Sequence, residues 1–379
     1  MNNLEVKNLN AERQQKAREY SKLLRRLLFL GLGIGAVLLL AFLFSGASHQ
    51  LAGFLPFASP WSAALYLLIL AFGYGIIMAP LGYYRDFVLS HRYGLSTQNV
   101  AGWLKDKAKT LSLGLSLGLC IVIVIYWLMG HLPALWWLVA SLIMFLLSLF
   151  LTWLTPTIVI PLSFKLGPLE DGELKGRLAN LARGAGVDIK DVLIMNLSSK
   201  ANTANAMLSG WGKSRRVIIS DTLLQGYSWD EIEVSFAHEL GHHLHHDVPK
   251  LMAIQTVTFL LAFYLANLAL EAGVGLFSFQ GINDVAGLPW LVLILVGVTL
   301  VFQPLLGWYR RHIELAADKA ALKLSHNPQA FINLMTKLTD QNLTEAEPRR
   351  WAKVLFYDHP TYNERVKLAY KSIQQSAPG

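Results

Sequence analysis

The chain has 379 residues, of which 54% are hydrophobic and only 15% are charged. A soluble domain carries about 25% charged residues, so this composition excludes an ordinary soluble protein and predicts an integral membrane protein. The formal net charge of +8 is not accompanied by a nucleic-acid-binding motif. We therefore attribute it to membrane topology and to contact with anionic lipids of the bilayer, and we expect no nucleic-acid partner.

The amino-terminal segment, residues 1–26, is polar and is predicted to form an amphipathic helix on the cytoplasmic side of the membrane. It is too long and too charged for the first region of a secretory signal peptide, and it lacks a small-residue cleavage site, so we expect it to be retained. The chain's one cysteine, Cys120, lies in an apolar stretch. A disulfide within the chain and a cysteine-based zinc site are therefore excluded.

Four long stretches lack Asp, Glu, Lys and Arg, namely residues 27–84, 110–164, 251–270 and 285–309. The first two are each long enough for two membrane spans, because about 20 residues cross a bilayer as a helix. We predict four transmembrane helices in residues 27–164, with a cytoplasmic loop at 85–109, and a transmembrane hairpin in residues 251–309. The predicted fold class is mainly α, a polytopic membrane protein with about six transmembrane helices and a small cytoplasmic α+β portion.

The basic residues indicate how these helices are oriented. Every Lys and Arg lies in the segments that three membrane hairpins leave on one side, which are residues 1–26, 85–109, 165–250 and 310–379. Because Lys and Arg concentrate in the cytoplasmic segments of membrane proteins, we expect both termini on the cytoplasmic side. We predict a multi-pass protein of the cell inner (cytoplasmic) membrane.

Residues 165–250 form the longest segment without a predicted span, and they have the pattern of an α+β unit. A helix is predicted over residues 170–183, and strands are predicted over 192–195, 204–208 and 216–219. A sheet at this place offers an edge on which an extended substrate can pair its backbone, or it only supports the neighbouring helix. Both interpretations stay open.

This segment also contains the motif His238-Glu239-Leu240-Gly241-His242, an H-E-x-x-H pattern. On a helix the two histidines lie about 40° apart around the axis, so they can hold one Zn²⁺ through one ring nitrogen each. Glu239 is then close enough to take a proton from a metal-bound water, which predicts a zinc hydrolase with one Zn²⁺ per chain. The stretch is also rich in histidine, and such tracts can bind metal loosely without catalysis.

A catalytic zinc site needs a third protein ligand, and Glu314 and Asp318 lie four residues apart in the predicted cytoplasmic helical part, residues 310–379. Two predicted spans separate Glu314 from His242, and an even number of crossings returns the chain to the same side of the membrane. Asp318 is then in a position to orient a ligand histidine through its other ring nitrogen. The alternative is that Glu314 pairs with a neighbouring arginine and that Asp318 is a solvated helix residue.

Further short motifs follow one another from residue 85 to the carboxyl end of the chain. They are Phe87-Val88, Tyr93-Gly94-Leu95, Pro156, Ile160-Pro161-Leu162, Asn205-Ala206, Arg215–Ile218, Asp221–Leu224, His238–His242, Glu314, Ala317-Asp318, His359-Pro360 and Arg365. With these motifs in this order, the chain resembles the integral-membrane zinc metalloproteases of the type I CAAX prenyl protease family, which are gluzincins. Read without the family, His359-Pro360 is equally well a turn or a helix start.

The resemblance implies a role for each of nine residues. It implies three zinc ligands, which are His238, His242 and Glu314. It implies Glu239 as the general base and Asp318 as a residue that supports the site. It further implies that Asn205 and Ala206 hold the substrate and that His359 and Arg365 lie near the oxyanion. Family members enclose an intramembrane chamber with the proteolytic site open to the cytoplasm, in agreement with the topology inferred from charge.

We therefore expect a zinc endopeptidase that cleaves a peptide or membrane protein, membrane-associated or lipidated and CAAX-like, at the cytoplasmic face. Eukaryotic members carry one more amino-terminal span, whereas this compact chain is typical of a prokaryotic homologue, and prokaryotes generally lack protein prenylation. Two alternatives stay open: a transporter or metal-handling protein that uses the histidine cluster without proteolysis, and a membrane adaptor that retains an inactive zinc site. A transporter would be expected to carry ionisable residues inside several spans, and the uncharged runs argue against it, although the polar residues Asn267 and Gln303 lie within predicted spans.

Overall fold

A computed structural model describes residues 9–170, 172–210 and 215–376 of the chain. Two of its long helices each contain one π-helical segment, at Tyr84–Leu89 and Thr155–Val159. In chain order the elements are α1 (Ala11–Phe44), α2 (Ala47–Phe54), α3 (Trp61–Arg92), α4 (Val100–His131), α5 (Trp136–Ser163), β1 (Leu166–Pro168), α6 (Glu173–Gly184), β2 (Asp191–Met195), β3 (Ala206–Ser209), β4 (Arg216–Ser220), α7 (Asp221–Gly226), α8 (Trp229–Leu244), α9 (Asp247–Phe277), α10 (Leu288–Ser325), α11 (Pro328–Gln341), α12 (Arg350–Phe356) and α13 (Tyr362–Ser376).

Within the described residues, six helices are long and apolar enough to cross a membrane, namely α1, α3, α4, α5, α9 and α10. The prediction of a mainly helical membrane protein with six spans is therefore confirmed. The segment expected to be a loop at residues 85–109 is mostly helical, because α3 continues to Arg92 and α4 begins at Val100. Charge marks where the hydrocarbon layer ends, whereas a helix satisfies its own backbone hydrogen bonds and continues beyond that layer.

The predicted amino-terminal helix is the first part of α1, and residues 1–8 of that segment lie outside the described residues. At the start of α1 the Asn10 side chain accepts a hydrogen bond from the Arg13 N–H. The Asn10 N–H donates to Asp340 Oδ2 at 3.0 Å, and Arg13 Nε donates to the Asp340 carbonyl at 2.6 Å. These contacts attach the start of the first candidate span to the end of α11.

The candidate spans share a buried cluster whose largest side chains are Tyr66, Tyr126 and Trp136. The Trp136 indole Nε1 donates to Oδ1 of Asn267 at 2.5 Å, which joins α5 to α9. A buried amide needs such a partner, so this hydrogen bond gives Asn267 a role in packing between the two helices. The polar side chain of Asn267 inside a candidate span is thus accounted for by packing.

The four strands form one sheet in the order β1-β2-β4-β3. Strands β2 and β4 are parallel, whereas β1 pairs antiparallel with β2 and β3 pairs antiparallel with β4. The three predicted strands are confirmed with ends shifted by one or two residues, and β1 has no predicted counterpart because three residues are too few to show an alternating pattern. Among the described strands, β3 is at an edge of the sheet, and it lies beside α8.

Helices α8 and α10 lie very close together where they cross, and Gly241 permits this. A Cβ atom at Gly241 would be 2.9 Å from Cβ of Ala320 and 3.0 Å from both Cα and O of Ala317, closer than real Cβ contacts. Helix α8 is fixed at its start by a capping box between Ser228 and Glu231. The contact at Gly241 therefore places the H-E-x-x-H helix directly against the helix that carries Glu314.

Candidate metal centre and active site

Three side chains converge where α8 meets α10. His238 and His242 are one helical turn apart on α8, their Nε2 atoms are 3.2 Å apart, and their ring planes are at 89°. Glu314 enters from α10, with Oε2 at 3.3 Å from His238 Nε2 and Oε1 at 3.4 Å from His242 Nε2. The three ligand atoms lie within 4.8 Å of one another. This spacing suits one small cation, because zinc binds nitrogen and oxygen ligands at about 2.0–2.2 Å.

Each histidine is oriented by a buried carboxylate on the other side of its ring. Asp318 Oδ1 is 3.0 Å from His238 Nδ1, and Asp247 Oδ2 is 3.0 Å from His242 Nδ1. A carboxylate can only accept here, so it selects the tautomer with hydrogen on Nδ1. The lone pair on each Nε2 then points toward Glu314, as metal coordination requires.

Asp247 is a functional candidate that the sequence interpretation missed. Helix α8 ends at Leu244, and the chain reverses through His246, whose φ of 52° is in the left-handed region, before α9 begins at Asp247. This reversal brings Asp247 back to His242, five residues earlier. Pro249, in the first turn of α9, is the sequence signal for a new helix start, but it does not indicate where the preceding acidic side chain points.

The cluster has the properties of a cation site. Oε2 of Glu314 is buried and has no hydrogen-bond partner among the described residues. An unsatisfied carboxylate oxygen is costly to bury, and a cation held between it and two imidazole nitrogens removes that cost. Burial alone would lower the pKa of His238, but the neighbouring carboxylates of Asp318 and Glu314 raise it to about 9, so the surroundings favour positive charge at this point. The donor set of two imidazoles and one carboxylate fits zinc.

Glu239 lies between this cluster and strand β3. Its Oε2 accepts a hydrogen bond from the Leu208 N–H at 3.4 Å. Burial raises the pKa of the Glu239 carboxyl, although the nearby His238 and His242 act in the opposite direction. A carboxylate whose pKa is raised toward neutrality is a stronger base, which suits a group that must take up and release a proton.

Arg365, on α13, contacts Asp318 through two nitrogens. Its Nε donates to Asp318 Oδ2 at 2.8 Å and its Nη2 donates to Asp318 Oδ1 at 2.5 Å, while Nη2 lies 3.5 Å from His238 Nδ1. Such a bidentate pair fixes the carboxylate plane. The structure thus places Arg365 behind His238, where it holds the carboxylate that orients this ring.

His359 lies on the open side of the cluster, and its side chain is 58% exposed. Its Nε2 is 3.5 Å from Glu314 Oε1, and its Nδ1 is 2.7 Å from Asp358 Oδ1. The hydrogen bond to Asp358 raises the pKa of His359 and outweighs the opposite effect of burial. His359 is therefore the group in this set that is both near the cluster and accessible to a substrate.

Asn205 and Ala206 lie at the start of β3. The Asn205 N–H donates to Ser220 Oγ at 3.0 Å, and its carbonyl accepts from the Ser220 N–H at 2.9 Å, while Ala206 pairs with Ile219. The Asn205 side chain is exposed. Both residues are therefore on the edge strand that contacts Glu239 through Leu208.

The two neighbouring arginines, Arg310 and Arg311, pair with groups other than Glu314 in the described part of the chain. Arg310 pairs with Asp358 at 3.7 Å, and the buried Arg311 donates through Nη1 to the Tyr357 carbonyl. The surface-pair alternative for Glu314 is thus not the observed arrangement. The metal-ligand group found in the described part of the chain also leaves out the remaining histidines of the His-rich stretch, which are His243, His245 and His246.

Comparison with known families agrees with this architecture. A profile for the CAAX prenyl protease amino-terminal domain, described as five membrane helices, matches residues 4–165, and a profile for peptidase family M48 matches residues 168–372. The chain therefore belongs to the M48 family of CAAX prenyl protease-like membrane metalloendopeptidases, as the sequence resemblance indicated. Among the described residues up to 165, the structure has four candidate spans and the short helix α2.

Two curated relatives show how far the likeness extends. An uncharacterized metalloprotease, YhfN, of Bacillus subtilis is 28% identical over 369 residues, which cover 96% of this chain and 86% of the relative. CAAX prenyl protease 1 of Saccharomyces cerevisiae is 28% identical over 311 residues, which cover 77% of this chain and 68% of the relative.

A solved structure shares the fold. The crystal structure of Ste24p from S. mikatae aligns with a TM-score of 0.85 and 22% identity, over 97% of this chain and 91% of that one. This similarity supports the fold observed here, in which the spans and the soluble portion pack together. The chain is a multi-pass membrane protein with a metalloendopeptidase fold.

Proposed function

We propose that this membrane metalloprotease is zinc-dependent and that His238, His242 and Glu314 hold one Zn²⁺ per chain. The observation that carries the proposal is the convergence of two carboxylate-oriented imidazoles on a buried Glu314 oxygen without a hydrogen bond. When bound, zinc polarises the scissile carbonyl and lowers the pKa of a water molecule. The pre-oriented rings then require little rearrangement on metal binding.

Glu239 acts as the general base and later as the general acid. Its Oε2 accepts the Leu208 N–H, so Oε1 is the oxygen that takes the proton from the attacking water. The same oxygen then delivers this proton to the leaving amine, which completes hydrolysis without net change at Glu239. Since Leu208 is on β3, the base is tied to the strand on which the substrate is held.

The edge strand β3 binds the substrate backbone in an extended conformation, with Asn205 and Ala206 at its start. An unpaired strand edge offers alternating N–H and C=O groups to such a chain. His359 donates a hydrogen bond to the tetrahedral oxyanion, and the direction of its pKa shift, upward because of Asp358, favours the donor form. Asp318 and Arg365 contribute by holding His238 in place.

The substrate is a membrane-associated or lipidated peptide or membrane protein, cleaved at the cytoplasmic face of the cell inner membrane. The distribution of Lys and Arg supports this orientation, since every one of them lies in segments that the six spans leave on one side. Helix α8 and the charged end of α10 belong to those segments. Residues 27–84, 110–164 and 251–309 provide the membrane-embedded part, and residues 1–26, 85–109, 165–250 and 310–379 provide the cytoplasmic part.

The test is the substitution Glu239→Gln in the full chain, purified in detergent. We expect the variant to retain one zinc per chain by elemental analysis and to lose peptide cleavage by a factor on the order of 10² to 10⁴. His242→Asn should lose the metal as well, whereas His243→Asn, on the same helix but outside the cluster, should retain both metal and activity. Cleavage products are identified by incubating the wild type and Glu239→Gln with membrane proteins and comparing fragments by mass spectrometry. Undiminished cleavage by Glu239→Gln would contradict the assignment.

A further inference from the structure

A cavity of about 540 Å³ lies away from the metal cluster. Its lining comes from three separate parts of the chain: the start of α4 with the turn before it, the end of α5 with Lys165, and the loop after β2. None of the proposed ligand, base or substrate-binding residues is in its lining.

The cavity is strongly basic. Four lysines line it, together with one acidic residue, Asp106, so the lining carries a formal charge of +3; the lysines are Lys105, Lys109, Lys165 and Lys200. Asp106 is already paired, with Oδ2 at 2.6 Å from Lys200 Nζ and Oδ1 at 3.9 Å from Lys109 Nζ. Lys105 and Lys165 are exposed, and neither forms an ion pair within the described residues. Two uncompensated ammonium groups thus face the same space.

The position of the cavity relative to the membrane is defined by the sequence. Lys109 immediately precedes the uncharged run 110–164, and Lys165 immediately follows it. Lys109 Nζ also donates to the Leu162 carbonyl at 3.2 Å, which ties the two ends of this helical hairpin together. One wall of the cavity is apolar and includes Leu162, whose side chain is 56% exposed. Basic groups beside an apolar wall at the end of a span lie at the level of lipid headgroups.

We propose that this cavity binds the phosphate headgroup of an anionic phospholipid, with Lys105 and Lys165 as the principal contacts and an acyl chain along Leu162. Basic residues scattered around a membrane protein attract anionic lipids only in general, whereas here four lysines from three chain segments share one cavity. The Thr97 N–H donates to the Lys200 carbonyl at 3.2 Å, so the same cavity joins the membrane helices to the loop that leads to β3. A bound headgroup therefore stabilises the attachment of the soluble portion to the spans.

The experiment uses the full chain, stripped of lipid in a neutral detergent, with short-chain phosphatidylglycerol, phosphatidylcholine and inorganic phosphate as probes. Binding is measured by native mass spectrometry and by the shift of the thermal unfolding midpoint. The test variant is Lys105→Gln/Lys165→Gln, with each single substitution prepared as well in case the double variant folds poorly. The control is Lys22→Gln/Arg26→Gln, which removes two exposed basic groups from α1 at the edge of the uncharged run 27–84.

We expect the wild type to bind phosphatidylglycerol at least ten times more tightly than phosphatidylcholine. The double variant should lose about 30-fold in affinity for phosphatidylglycerol, which corresponds to about 2 kcal/mol, and the control should change less than twofold. Equal binding by wild type and test variant, or an equal loss in the control, would overturn the proposal. Displacement of the lipid by inorganic phosphate at equal concentration would also overturn it and would assign the cavity to a soluble phosphate. Because no peptidase activity is measured, the outcome is independent of the proposed function.

Discussion

The contact between α8 and α10 at Gly241 leads to the sharpest prediction. In Gly241→Ala, the new Cβ would lie 2.9 Å from Cβ of Ala320, whereas ordinary contact begins at 3.4 Å. The two helices must therefore move apart by about half an ångström, and the second contact is with the backbone of Ala317, which cannot rotate away. Since Glu314 lies on α10 and the two histidines on α8, this movement separates the ligands by about a quarter of a zinc–ligand bond.

We expect Gly241→Ala to lower the free energy of unfolding by about 1–3 kcal/mol and to weaken zinc binding by at least tenfold. Zinc affinity is measured by competition with a chromogenic chelator, and stability by thermal unfolding in the same detergent. The matched control is Gly176→Ala on α6, where a Cβ meets nothing within 4 Å, so that substitution should be neutral or stabilising. Wild-type zinc affinity in Gly241→Ala would refute the argument that this glycine sets the geometry of the site.

Three further predictions concern the groups around the metal cluster. Asp247→Asn should weaken zinc binding by about 10–100-fold while the protein stays folded, because His242 loses the carboxylate that selects its tautomer; chelator competition measures this. Asp358→Asn weakens the hydrogen bond that raises the pKa of His359, so His359 should lose its proton at lower pH. The alkaline limb of the pH profile of kcat/KM should therefore move to lower pH. Removal of the metal with a chelator should lower the thermal unfolding midpoint of the wild type, and excess zinc should restore it, whereas a His242→Asn variant should show neither change.

The features that could be predicted depend on the spacing of residues along the chain and on the length of its uncharged runs. The i, i+4 spacing of His238 and His242 is a property of any helix, so their common face follows from the motif alone. Counting membrane crossings shows that Glu314 can meet this pair, because an even number leaves both segments on one side, and the resemblance to the family identified it as the third ligand. The six spans follow from the length of uncharged runs, which bilayer thickness fixes.

The parts that could not be predicted depend on how the chain turns and packs. Asp247 reaches His242 only because His246 adopts a positive φ, and although histidine is enriched there among non-glycine residues, its presence does not specify that conformation at one position. Arg365 meets Asp318 through the packing of α13 against α10, which no periodicity in either helix reveals. Gly241 occupies the second of the two unspecified positions in the H-E-x-x-H motif. The motif alone therefore does not show that a side chain at this position would collide with α10.

Helix α10 continues from the candidate membrane span to the metal cluster, with Pro304 inside it. It extends over 38 residues, and Glu314 lies about 26 residues from its first residue, or roughly 39 Å along the axis. A tilt of 1° about the far end would displace the carboxylate by roughly 0.7 Å, which is about a third of a zinc–ligand bond. Because spanning helices respond to bilayer thickness by tilting, we expect membranes that differ in thickness to alter the geometry of the proposed metal site and its affinity for metal.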